Sequence, residues 1–280
     1  MIIKPAPRSE CAIRATPGAA ALLLALFLGG SPAAALCDAS SQFLPPRPND
    51  DSRPAPPREA VLTFDAAWSS DGAEEILDEL GNLGVRATFF LAGCFVKEHP
   101  AIARRIIEEG HEVGNHTFSH AHLTRYAEDG SQSSLPEVTR ISLDIELESA
   151  RREFEEATGR QLAPIWRAPY GEINAELIAW ARQVGYTHVG WSSGLDTLDW
   201  VSDQAHRLYR PPGAAARRVL ALLARREPRE GPAVILMHLG SDRPPVERFG
   251  RELPSVIRGA ERLGYRFVTA SQALREGKLP

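Results

Sequence analysis

Side chains able to do acid–base or ligand chemistry stand directly behind short apolar runs in this sequence. Asp65 closes Ala60-Val61-Leu62-Thr63-Phe64, and His116 and His120 follow His111-Glu112-Val113-Gly114. Arg167 closes Pro164-Ile165-Trp166, and His238 closes Ala233-Val234-Ile235-Leu236-Met237. Two imidazoles four apart in a helical turn point to one side and can grip one metal ion. The rival reading is a pair that satisfies local hydrogen bonds, in a stretch that also holds His122. Asp65 is either a functional carboxylate or a cap of the helix after it. Arg167, a cation behind a buried-looking strand, needs a carboxylate partner, and Asp65 and Asp196 are the candidates. His238 reads equally as a catalytic group and as a satisfied core histidine. Together they form the kind of set that an α/β barrel gathers at the carboxyl ends of its strands.

The elements that must position these groups follow from periodicity. Apolar or β-branched runs end near Phe64, Leu91, Val113, Arg167, Trp191, His238 and Thr269. Between them lie stretches with helical spacing: Ile76-Leu77-Leu80-Leu83, Ile102-Ile106-Ile107, Ile141-Ile145-Leu147-Phe154, Leu177-Ile178-Ala181-Val184 and Leu253-Ile257-Ala260-Leu263. Glycines such as Gly84 and Gly159 end several of them. Strict alternation implies a parallel sheet with helical crossovers, closed or nearly closed into a barrel. The stretch from Ala121 to Pro136 has the least pattern and reads as a surface loop near the mouth of the site.

Composition narrows the function classes. At 280 residues, 43% hydrophobic and 24% charged, the chain can fill one large α/β domain. A formal net charge of −4 argues against nucleic acid or an anionic membrane surface as the main partner. Lys4, Arg8 and Arg14 precede an apolar stretch from Ala19 to Leu28, and Ser31-Pro32-Ala33-Ala34-Ala35 offers small residues for cleavage. Residues 1–35 therefore read as a secretory signal peptide. The apolar stretch is much shorter than the roughly 20 residues of a spanning helix, so no integral membrane segment is expected in the mature chain. The expected localisation is export, periplasmic or extracellular. Cys37 invites a lipoprotein reading, against which Leu36 stands where lipid attachment favours a small residue. Residues 36–58 read as a Pro-rich disordered linker and 59–280 as the folded domain. A Cys37–Cys94 bridge stays open, the plainer reading of Cys94 being a small residue at a strand end.

Taken in order, Thr63-Phe64-Asp65, His116-x-x-x-His120, Arg167-x-Pro169-Tyr170, Asp196-x-x-Asp199-Trp200 and Leu236-x-His238 resemble the signature motifs of the polysaccharide deacetylase (NodB-homology) family, carbohydrate esterase family four. Ala87-Thr88-Phe89-Phe90 and Gly110-His111-Glu112-Val113-Gly114-Asn115 are similar to it as well, so the resemblance runs from about Val61 to Ala270. It implies a distorted (β/α)7 barrel. The implied activity is metal-dependent removal of acetyl groups from N-acetylglucosamine-containing polysaccharide, peptidoglycan or chitin-like oligomers, with zinc or a similar ion such as cobalt. Carried over residue by residue, His116 and His120 would hold the metal and Asp65 would be the general base, oriented by Arg167. His238 would be the general acid, steered by Asp199. The backbone N–H of Tyr170 would stabilise the oxyanion, while Trp200 and Leu236 would wall the acetyl pocket.

The chain departs from the family at one position. The family's base is followed by a second aspartate that completes the metal triad, whereas this chain reads Asp65-Ala66-Ala67-Trp68. Catalytic zinc normally has three protein ligands plus water. Either the ion is held weakly by the two histidines, or Asp71 or Asp65 itself fills in, Asp71 reading otherwise as a helix cap. The alternatives in function are an O-acetyl xylan-type esterase and a non-catalytic glycan-binding barrel.

Overall fold

The computed structural model describes residues 58–275. The expected signal peptide, all but the last residue of the expected linker, and Cys37 with its lipidation or its bridge to Cys94 lie outside the described residues. In chain order the elements are β1 (Arg58–Ala66), α1 (Ala73–Leu83), β2 (Thr88–Leu91), α2 (Gly93–Glu98), α3 (Pro100–Glu108), β3 (Glu112–Asn115), α4 (Tyr126–Asp129), α5 (Arg140–Thr158), β4 (Ile165–Trp166), α6 (Ala175–Gln183), β5 (Thr187–His188), α7 (Pro212–Arg225), β6 (Ala233–His238), α8 (Leu253–Arg262), β7 (Tyr265–Phe267) and α9 (Ala270–Arg275). Every strand pairing is parallel, in the order β5-β4-β3-β2-β1-β6, with β7 against the start of β1. The helical crossovers supply the long return that parallel strands require.

Backbone bonds also draw the two ends of this order together. Beyond β5, Ser192 N–H donates to the Val234 carbonyl, Leu236 N–H to Leu195 and Thr197 N–H to Leu236, at 2.9–3.1 Å. Residues 192–197 thus run beside β6, with a parallel bridge at Asp196–Leu236. The fold is a distorted (β/α)7 barrel, as the motif resemblance implies.

Alternation along the strands creates two cores. Ala60, Leu62, Phe64 and Ala66 of β1 and Ala233, Ile235 and Met237 of β6 join the outer cluster, which includes Ile76, Leu77, Val219 and Ile257 from the helices. Val61, Phe90, Ile165, Val189 and Val234 form an inner cluster. Period two then turns Thr63 and Asp65 inward with Val61, and Leu236 and His238 inward with Val234. The register sets Asp65 level with Phe90 on one side and His238 on the other.

Two elements differ from expectation. The run ending at Trp191 gives a strand of only Thr187–His188, because the next carbonyls, Val189 and Gly190, accept from the Arg167 guanidinium at 2.9 Å. Helix α7 is absent from the periodic stretches read above, although its buried face, Ala215, Ala216, Val219 and Leu223, has helical spacing; half of that face is alanine, a weak apolar signal.

The loops after β1 and β6 approach closely. A Cβ at Gly240 would overlap the backbone carbonyl of Ser69, an atom that cannot rotate away. Gly240→Ala is expected to cost about 1–3 kcal/mol. A denaturation midpoint equal to wild type would show that these loops do not meet.

Candidate functional site

The site is built around Arg167, which directly follows β4 and is 0% exposed. Its Nη1 donates to Asp65 Oδ1 and to the Thr63 hydroxyl, both at 2.8 Å. Nε and Nη2 take the Val189 and Gly190 carbonyls, and the Phe90 ring lies 4.3 Å beneath. Of the two expected partners, Asp65 makes the ion pair. Asp196 instead accepts the Leu198 N–H at 2.7 Å, and burial pushes its carboxyl above the usual range. The Arg167 carbonyl accepts from His116 Nδ1 at 2.8 Å. That bond fixes the tautomer and leaves the Nε2 lone pair free, 3.7 Å from Asp65 Oδ2.

His116 and His120 do converge, with ring centroids 4.8 Å apart. They do so without the helical turn expected from their spacing. Thr117 and His120 take left-handed φ of 62° and 51°, and the backbone bonds go elsewhere. The carbonyls of Thr117 and Phe118 accept from Gly93 and Cys94 at the start of α2. The N–H groups of Phe118 and Ser119 and the Ser119 hydroxyl donate to the Glu146 carboxylate of α5 at 2.8–2.9 Å. Non-glycine residues with left-handed φ are uncommon and cluster where surroundings over-determine them. The described residues hold four, Thr117, His120, Tyr170 and Leu198, all in the motifs above.

Both imidazoles are neutral at pH 7. Burial pushes His116 down against the pull of Asp65. Burial, followed by the charges of His116 and His238, takes His120 well below the ordinary histidine value. Tyr170, at φ 58°, sits in the turn Pro169–Gly171, where a Cβ on Gly171 would lie 2.6 Å from the Trp191 ring. Its ring stacks on His122 at 4.1 Å and meets His120 edge-on at 4.6 Å.

On the opposite wall, Asp199 receives both the backbone N–H of His238 at 2.9 Å and its Nδ1 at 2.8 Å. Burial alone would lower the His238 imidazole, but the charge and hydrogen bond of Asp199, with Asp65 and Asp196 adding, raise it to about 9. The same pair holds Asp199 below the usual carboxylate range although burial would raise it. Leu236 is buried on β6, and Trp200 is 41% exposed.

Among the described residues no group of three or more His, Cys, Asp or Glu side chains is arranged to hold a metal ion. Two imidazoles nonetheless suit one: His116 offers its Nε2 lone pair, and His120 Nδ1 is buried with no hydrogen-bond partner. The donor set thus fits a divalent ion through two nitrogens, with the Asp65 carboxylate beside them. Ala66 supplies no donor and packs into the outer cluster. Asp71 satisfies neither expectation. Its side chain is 70% exposed and paired with Arg248 at 3.3 Å, and the helix after it is capped by Gly72 without a side-chain bond.

Sequence reasoning missed two supporting carboxylates. Glu146 lies in a helix rich in glutamates, where nothing marks it. Glu172 is 1% exposed and binds the N–H groups of Leu123 and Thr124 and His122 Nδ1 at 2.6–2.9 Å. Its place directly after Tyr170-Gly171 was the available signal.

A parallel barrel with titratable side chains gathered at the carboxyl ends of its strands defines an α/β-barrel hydrolase. The family model described as polysaccharide deacetylase matches residues 52–189. A peptidoglycan-N-acetylglucosamine deacetylase of Bacillus cereus is 29% identical over 77% of this chain and 87% of its own length. A chitooligosaccharide deacetylase of Bradyrhizobium is 32% identical over 57% of this chain and 67% of its own. The chain belongs to the polysaccharide deacetylase family. Against other curated relatives it spans about half of their length, 46% and 51% in two cases. Among solved structures, a mutant of BA3943, a CE4 family pseudoenzyme with restored enzymatic activity, superposes with a TM-score of 0.61 at 25% identity, covering 78% of this chain and 68% of that one.

In metal-free protein, His238 is expected to titrate near pH 9 by histidine NMR. Asp199→Asn removes the main raising influence and leaves burial, so the midpoint should fall toward or below 6.5. A midpoint unchanged by the substitution would mean that Asp199 does not set the imidazole's charge.

Proposed function

We propose that the protein is a deacetylase of N-acetylglucosamine-containing glycan, with peptidoglycan as substrate in an exported protein. The observation that carries this reading is the pair of buried dyads set side by side at the ends of β1 and β6. Asp65 accepts from the Arg167 guanidinium at 2.8 Å, and His238 is held as an imidazolium by Asp199. Hydrolysing an acetamide needs a base for the attacking water, stabilisation of the tetrahedral oxygen and a proton for a poor amine leaving group. Asp65 serves as the base, aimed by its hydrogen bond from Arg167. His238, loaded by Asp199, protonates the departing nitrogen. The Tyr170 N–H, presented by its left-handed turn, donates to the developing oxyanion. Trp200 and Leu236 enclose the acetyl methyl. A divalent ion on His116 and His120, zinc or cobalt, would add Lewis-acid polarisation of the acetyl carbonyl and lower the pKa of a water molecule. The names of the Bacillus cereus and Bradyrhizobium relatives support a glycan amide as substrate.

A second reading rests on Ala66 and on the lack, among the described residues, of a group of three metal donors: a barrel that binds amino-sugar oligomers without turning them over. Acetate release from N-acetylglucosamine oligomers and from acetylated xylan, with and without added zinc or cobalt, separates the readings. Saturable binding with no acetate from either substrate supports the binding barrel, and preference for xylan would assign the protein to ester chemistry.

Two variant sets test the roles. Replacing His116 and His120 by alanine is expected to abolish the bound metal, read by titration calorimetry, and unchanged stoichiometry would refute the site. Asp65→Asn and His238→Ala should each lower acetate release by about 10²–10⁴-fold while oligosaccharide binding persists. Wild-type rates in His238→Ala on the N-acetyl substrate would sink the mechanism.

A further inference from the structure

Arg243 is the second arginine buried in the barrel, 2% exposed, and among the described residues it makes no ion pair. Its guanidinium is satisfied by backbone carbonyls: Nη2 donates to Leu198, Nε to Val201 and Nη1 to Arg210, each at 2.9 Å. The Tyr209 ring covers it at 4.7 Å. A buried cation with no carboxylate is retained only where fixed dipoles replace its hydration. Here those dipoles are the two ends and an inner point of one loop, 198–210.

That loop carries Asp199 and Trp200 between the two bonded carbonyls of Leu198 and Val201. Leu198 is held at φ 59°, a conformation a leucine does not adopt unaided. Trp200 is too exposed to be fixed by packing of its own. Arg243 itself follows β6 five residues after His238, and its neighbour Glu247 accepts from Tyr209 Oη at 2.7 Å and from Gln204 Nε2 at 2.5 Å in the same loop. Arg243 therefore ties three carbonyls of the loop that brings the carboxylate to the segment that follows the strand bringing the imidazole, beside the two Glu247 contacts.

We propose that Arg243 is a positioning residue that pins the 198–210 loop to the end of β6 and so sets the geometry of the Asp199–His238 pair and of Trp200. The inference rests on the deacetylase reading only for its catalytic consequence. A shift of about 1 Å in a positioned group costs on the order of 10²-fold in rate. Proton delivery matters most for an amine leaving group, so loosening the pin should slow amide cleavage far more than cleavage of an activated ester. General loss of structure would slow both alike.

The test uses Arg243→Gln and the milder Arg243→Lys, which keeps the charge but cannot span three carbonyls. In Arg243→Gln, hydrogen exchange at residues 198–210 should accelerate about tenfold or more while residues 58–66 stay as in wild type. The downfield Nδ1–H resonance of His238 should broaden or vanish. Deacetylation of N-acetylglucosamine oligomers should drop about 10–100-fold, against a change of less than about threefold for 4-nitrophenyl acetate. The lysine variant should fall between, and it carries the test if the glutamine variant does not fold. Unchanged exchange and an unchanged His238 resonance, or equal losses on amide and ester, would overturn the proposal. A wild-type protein that releases no acetate would overturn the deacetylase reading alone, and the exchange and resonance data would still decide the pin.

Discussion

Burial of one guanidinium organises the catalytic end of this barrel. A fully buried arginine is tolerable only when its donors are matched, and Arg167 meets that demand with groups from β1 and from the segment after β5. Meeting it shortens β5 by drawing the Val189 and Gly190 carbonyls out of the ladder, fixes the orientation of the Asp65 side chain, and offers the Arg167 carbonyl to His116. Breaking such a pair by removing one partner costs about 3–5 kcal/mol. The placement of Asp65, the orientation of His116 and the irregular side of the barrel are therefore consequences of one buried charge.

The two dyads illustrate how one interior holds buried cations. Desolvation disfavours an isolated charge, so each cation survives through a specific partner: Asp65 for the Arg167 guanidinium and Asp199 for the His238 imidazolium. The imidazoles without such a dominant partner, His116 and His120, lose their protons instead. Neutral imidazole is the ligand form and imidazolium the acid form, so burial with selective pairing sorts the histidines into two chemistries.

The substitution at Ala66 acts against this background. The backbone frame that aims the two imidazoles remains, braced by Glu146 from α5 and, two residues beyond His120, by Glu172. Ala66 offers no anionic donor there, and Asp65 is the carboxylate that lies beside His116, at 3.7 Å. The strained backbone at Thr117, His120 and Tyr170 is retained. Such strain persists only where the surroundings over-determine it.

The sequence alone determined the parallel alternation of strand and helix, because period two and period 3.6 are written in the order of apolar residues, and it placed Asp65, Arg167 and His238 at strand ends by simple adjacency. Residue types in order were also sufficient to reveal the family. The tertiary structure decided what adjacency does not encode. It chose Asp65 over Asp196 as the partner of Arg167, bent His116–His120 out of a helical turn, and sent Asp71 to Arg248 at the surface. Glu146, Glu172 and Arg243 stayed hidden for the same reason. Their partners are backbone groups remote in sequence, and a carbonyl or an N–H carries no residue identity from which its future neighbour can be read.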